Sequence, residues 1–303
     1  MSRLKGIILI IVGSILWGLS GPMMEWVFGV TKMSVPFLLT IRLTVAGVLL
    51  LSFSLLAKKD IFAVWKSFPS AMQLILFSII GVLGLQYAFL GAIDASNSVV
   101  ATLFQFSAPI IVVSYISLKM KELPPRNQVI GIIGTLIGLF LLLTNGTLDS
   151  LLVSTKAIVF GIGLGFTYAF YTLYPTRLMK EWGILIILGW GMFIGGSVIG
   201  VAIQIWNSNE WVFFARVDIT LMTIALIIFG TIAYAFFLAS LSYISAVETS
   251  ILSSVEPLTV MIVSVIWFGK TLENVQLIGV VLMLLFVTLL SLSGKKSEKM
   301  VIN

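Results

Sequence analysis

Gln128–Gly146 reads QVIGIIGTLIGLFLLLTNG, and 148 residues further on Gln276–Gly294 reads QLIGVVLMLLFVTLLSLSG. Seven of the nineteen aligned positions are identical, among them Gln128/Gln276, Gly131/Gly279 and Gly146/Gly294. Two unrelated helices rich in Leu, Ile and Val would share roughly two or three. The same offset pairs Pro109 with Pro257, and an offset of 147 pairs Tyr87-Ala88-Phe89 with Tyr234-Ala235-Phe236. Hydrophobic composition does not bring glycine, glutamine and proline into register, so the chain reads as a duplication.

Each of these two stretches is also long enough to span a bilayer, since about 30 Å of hydrocarbon takes about 20 residues at 1.5 Å each. Working outward, charge-free runs cover 6–24, 67–93, 95–118, 127–148, 157–176, 182–209, 219–247 and 274–294. Two more spans are each cut by one charge, Arg42 between Ser34 and Ala57 and Glu256 between Val247 and Gly269. The sequence therefore predicts an all-α polytopic membrane protein of ten transmembrane helices, five per copy. An odd number of crossings makes the second copy enter from the opposite side, which gives two inverted five-helix repeats. Residues 1–146 form the first repeat, 147–155 a linker loop, 156–294 the second repeat and 295–303 a tail. Inverted repeats place a binding site near the bilayer midplane, where two bundles rock against each other.

Composition removes other classes. Hydrophobic residues make up 59% of the chain and charged residues 10%, against about 45–50% and about 25% in soluble domains. Cys and His are both absent. Thiolate or imidazole metal sites, Ser–His catalysis and haem ligation by His are thereby excluded, and no metal or cofactor is expected. The sequence lacks a Gly-rich phosphate loop of the G-x-x-x-x-G-K-[ST] type, so ATP is not a direct energy source. With the N-terminus inside, thirteen loop or tail Lys/Arg residues fall on the cytoplasmic side and four outside. That bias puts both termini in the cytoplasm and explains the net charge of +6 without nucleic acid. The first apolar run is long, and Trp26 and Phe28 stand where a cleavage site would need small residues, so it reads as a retained helix.

The two intramembrane charges are the first functional candidates. An ionised side chain at mid-bilayer costs about 2.5–3.5 kcal/mol on insertion scales, so it faces the bundle interior, a partner or a proton. Glu256 precedes Pro257, which has no backbone N–H and can leave a carbonyl open. Its carboxylate reads as a substrate-amine ligand, a proton-coupling site or a brace between helices. Arg42 lies about 12 Å below the outer boundary. It can receive a carboxylate in a two-pronged hydrogen bond, pair with Glu256 or cap the carbonyls of a broken helix.

The chain resembles the EamA family of the drug/metabolite transporter superfamily. The resemblance rests on Trp17-Gly18-Leu19-Ser20-Gly21-Pro22, Thr40-Ile41-Arg42-Leu43, Gln105-Phe106-Ser107-Ala108-Pro109 and Lys121-Glu122 in the first copy, and on Ser254-Val255-Glu256-Pro257-Leu258 in the second. Where the family usually ends helix nine with Gly-Glu, this chain has Gly269-Lys270, with Glu273 following. The resemblance implies a bacterial cytoplasmic membrane carrier of small molecules, with helices one to four and six to nine around a cavity and five and ten peripheral. Trp17, Gln86, Tyr87, Gln105, Tyr168, Tyr171, Trp190, Tyr234 and Ser253 are then candidates to line it, an apolar pocket with a few polar handles. Tyr168 and Tyr171, three apart, share a helix face. The expected activity is alternating-access export of small amphipathic metabolites such as amino acids, with an importer or exchanger as the alternative. A membrane enzyme or a sensor has less support, because loop acids are scattered and no soluble domain is present. Gly134/Gly138 on the fifth helix is a close-packing pair that suits either internal packing or a homodimer.

Overall fold

The computed structural model describes residues 2–146, 153–240, 243–244, 252–253, 255–269 and 271–293. Most of the expected linker, the tail 295–303 and Ser254 lie outside these residues. Every regular element among the described residues is helical, as hydrocarbon requires of a backbone that must satisfy its own polar groups.

In order, α1 spans Ser2–Thr31 and α2 Val35–Leu56. Next, α3 (Phe68–Leu76) runs through a π-helical turn, Phe77–Leu83, into α4 (Gly84–Ala95). The next apolar stretch is split into α5 (Ser98–Gln105) and α6 (Ala108–Met120), and α7 spans Arg126–Thr144. The second half has α8 (Thr155–Leu173), a short α9 (Thr176–Trp182), α10 (Ile184–Ala202) and α11 (Val217–Ser240). It ends with α12 (Val255–Phe268) and α13 (Asn274–Ser293). Eight stretches are long and apolar enough to cross a membrane, and α12 and α13 add two shorter apolar helices.

Local sequence sets the boundaries. Ser34 caps α2 by accepting from the Phe37 N–H, with Pro36 in the first turn. Asn97 caps α5 by accepting from Val100 N–H at 3.0 Å, and Ser154 caps α8 through Ala157. Asn145 ends α7 in the left-handed conformation, φ 54°, which Asn tolerates better than most residues.

Close glycine contacts show how the helices run. Thr40 meets Gly200, Thr44 meets Gly196, and Gly47 lies against Gly189 and Phe193, so α2 and α10 are antiparallel. Gln276 donates to the Leu142 carbonyl at 3.2 Å, Gly138 meets Gly279 and Gly134 meets Phe286, so α7 and α13 are antiparallel too. Between α1 and α11, Gly13 meets Ala233 and Phe236, and Gly6 meets Tyr243 beyond the end of α11. Between α4 and α8, Gly91 meets Phe160 and Gly84 meets Thr167. By contrast α1 and α12 are parallel, Gly18 lying on Glu256 and Thr259 and Gly21 near Val260. The same holds for α5–α6 and α8, with Gly161 against Phe104 and Gly165 against Ile111.

These contacts decide between the two readings of the Gly134/Gly138 pair. The face carrying Gly134 and Gly138 is filled by Phe286, Gly279 and Met283 of α13. It serves internal packing and is not open to a second copy.

Candidate functional site

Arg42 and Glu256 line one cavity. Each is 7% exposed. The cavity is lined by Trp17 and Ser20 of α1, Arg42 of α2, Leu85, Gln86 and Phe89 of α4, Gln105 of α5, Tyr168 and Tyr171 of α8, Tyr234 of α11 and Glu256 of α12. Helical periodicity explains the contributors. Trp17, Ser20 and Met24 recur at three- and four-residue steps on one face of α1, as do Gln86 and Phe89 on α4.

On one side, Arg42 Nη1 donates to Gln86 Oε1 at 2.9 Å and to Met24 Sδ at 3.4 Å. Gln86 passes the network on, its Nε2 donating to the Tyr234 hydroxyl at 3.5 Å, a residue 148 positions away. Tyr234 stands edge-on to Trp17, ring centroids 4.7 Å apart. On the other side, Glu256 Oε1 accepts from Gln105 Nε2 at 3.4 Å. Gln105 is the last residue of α5, just before the break, and Glu256 sits in the first turn of α12. A carboxylate there is favoured by the helix dipole. Tyr168 and Tyr171 close the wall at 6.2 Å between centroids, and Phe77 supports Tyr171 at 5.5 Å.

Arg42 and Glu256 do not pair. Among the described residues the ion pairs are Lys66–Asp60, Lys156–Asp94 and Arg216–Asp218, all solvent-facing. The cavity thus holds a cation and a carboxylate, each held by an amide, with aromatic walls between.

Three expected lining residues lie elsewhere. Trp190 donates its indole N–H to the Ile61 carbonyl at 2.8 Å and packs on Phe62, Trp65 and Phe193 at the end of the bundle near the α2–α3 connection. Tyr87 is 39% exposed and packs on Phe160, because one step from Gln86 turns the side chain about 100° around α4. Ser253, half-buried, precedes α12 and gives its carbonyl to the Glu256 N–H at 2.9 Å without lining the cavity. Ser20, Leu85, Phe89 and Met24 were not anticipated as site residues. The signal for Ser20 and Met24 was their spacing from Trp17. Glu273 has a fastening role, accepting from Asn145 Nδ2 at the α7–α13 contact.

Eight apolar stretches of bilayer length around a buried cavity lined by an arginine and a glutamate define a polytopic membrane protein of transporter type. The chain belongs to the EamA-like transporter family, whose sequence pattern matches residues 4–144 and again 155–292. It is 33% identical over 299 residues to an uncharacterized inner membrane transporter, YicL, of Salmonella typhimurium strain LT2, covering 98% of this chain and 99% of the relative. It is 26% identical to an uncharacterized transporter, YyaM, of Bacillus subtilis strain 168, over 71% and 72% of the two chains. A solved crystal structure shares the fold with a TM-score of 0.58 at 14% identity, covering 96% of this chain and 97% of the other.

Proposed function

We propose that this protein is a secondary transporter of the bacterial inner membrane that exports small amphipathic metabolites, amino acids or related compounds, by alternating access. The carrying observation is that Arg42 and Glu256 face one cavity without pairing. A zwitterion fits both: its carboxylate replaces the Gln86 contact to Arg42, and its amine meets Glu256. The aromatic walls take the apolar remainder. Neither protein charge is then left buried without a partner.

Two inverted five-helix repeats suit this reading. In support, the helices that correspond under the duplication, α2 with α10 and α7 with α13, run antiparallel. Exchange of the halves also carries the α1–α12 contact onto the α8 contact with α5–α6. Rocking of the two bundles exposes the cavity to each side in turn. Both termini lie in the cytoplasm. Glu256 takes either the substrate amine or a proton, so that the proton gradient drives the empty carrier back.

The test uses the purified chain in proteoliposomes with labelled amino acids inside or outside and an imposed pH gradient. Glu256→Gln is expected to retain substrate binding and lose pH-driven transport. Unchanged pH-driven transport in that variant removes Glu256 as the coupling site, and uptake favoured over release in the wild type reverses the direction.

A further inference from the structure

Behind the main cavity lies a second, smaller chamber, bounded by Arg42, Gln86 and Tyr234, which it shares with the first, and by Leu43, Ala46, Met192, Ile227, Gly230 and Thr231. We propose that this chamber is a binding subsite for a small monovalent anion, held by the Arg42 guanidinium. The inference goes beyond the transport reading; its halide arm is independent of that reading, and its carboxylate arm rests on it.

The geometry assigns the two ends of the guanidinium different tasks. Nη1 is committed to Gln86 and Met24. Nη2 points at Gly230, lying 3.7 Å from where a Cβ on that glycine would stand, and Gly230 lines the chamber. Arg42 is 7% exposed and has no ion pair among the described residues. A buried cation without a counter-charge is costly, and an anion brought beside it is attracted far more strongly than in water.

The walls specify the class of ligand. Leu43, Ala46, Met192 and Ile227 are apolar, and the Thr231 hydroxyl gives its proton to the Ile227 carbonyl at 2.8 Å. Among the described residues Arg42 is the single charge on the lining, so a divalent anion would be left half-neutralised. The room suits one occupant of about the size of a water molecule. Chloride, or the head of a small carboxylate, matches in charge and nearly in size.

The experiment measures the thermal-unfolding midpoint of the purified full chain in detergent, with chloride, bromide or formate exchanged against gluconate at constant ionic strength. The wild type is expected to show a saturable rise with the small anions. Gly230→Ala adds a methyl at ordinary van der Waals distance from Nη2, so it folds. It should raise the half-saturating concentration about tenfold, and Arg42→Gln should abolish the response. A rise with halides but not formate names a free inorganic anion, and a rise with formate alone names the carboxylate of an organic cargo. Identical midpoints in chloride, formate and gluconate, or a response unchanged in Gly230→Ala, overturn the proposal.

Discussion

The two charged ends of the cavity stand on different kinds of helix. Arg42 projects from the continuous α2, and five residues later Gly47 brings α2 against the backbone of α10. Glu256 stands at the very start of α12, next to Pro257 and opposite the break between α5 and α6. Both ends are gripped at a glycine, Gly47 on α10 and Gly18 on the Glu256 carbonyl, but the Glu256 end also rests on helix termini whose polar groups have fewer internal partners. Under the proposed transport cycle this is a division of labour: a fixed cationic anchor and a carboxylate that changes partners.

The comparison breaks first at Arg42. Arg42→Ala strips the anchor and leaves Gln86 without its charged donor. Hydrogen bonds to charged groups contribute about 1.5–3 kcal/mol, so substrate affinity should fall by about 10- to 100-fold. Binding of a labelled zwitterion to purified protein checks this, and an affinity within twofold of wild type contradicts the anchor.

A pair of glycines sharpens it. A Cβ on Gly47 would stand 2.5 Å from the Phe193 backbone nitrogen, and one on Gly18 would stand 2.7 Å from the Glu256 carbonyl oxygen. Gly47→Ala forces two packed helices apart and should destabilise by about 1–3 kcal/mol, read as a lower unfolding midpoint. Gly18→Ala is expected to displace the first turn of α12, a helix end with fewer internal hydrogen bonds than the middle of α10. It should lower the transport rate more than it lowers the midpoint. The opposite ranking would show that the Glu256 end is the stiffer one.

The smallest effect lies outside the cavity. The Lys66 side chain, followed by the Phe62 N–H, holds the Asp60 carboxyl below the usual carboxylate range. A depressed folded-state value stabilises above the unfolded value and is lost as pH falls through the folded one. The pair is exposed, so Asp60→Asn should shift the unfolding midpoint only slightly at neutral pH, and not at all once the carboxyl is protonated. Scans of both proteins against pH test the sign.

Hydropathy made the spans legible, because a charge-free run of bilayer length leaves few alternatives. Arg42 and Glu256 stood out for the same reason, as the only charges interrupting otherwise complete spans. Gln86, Gln105, Tyr168, Tyr171, Tyr234 and Trp17 were found by residue type on the right helices, and they do line the cavity. Tyr87 and Trp190 failed because residue type says nothing about rotation around a helix. On α3–α4 the π turn also breaks the period, so no face could be extended through it from sequence. Hydrophobicity on every side of a membrane helix erases the amphipathic stripe that marks the inward face in a soluble protein.

That wider turn has a lasting effect on balance. Phe77–Leu83 is a π segment between α3 and α4, whereas α11, its counterpart under the proposed duplication, is α-helical throughout. A seesaw whose arms are cut differently does not rest level. Under the proposed rocking motion, inward-open and outward-open forms would differ in energy even with no cargo aboard, and the protein would idle facing one side.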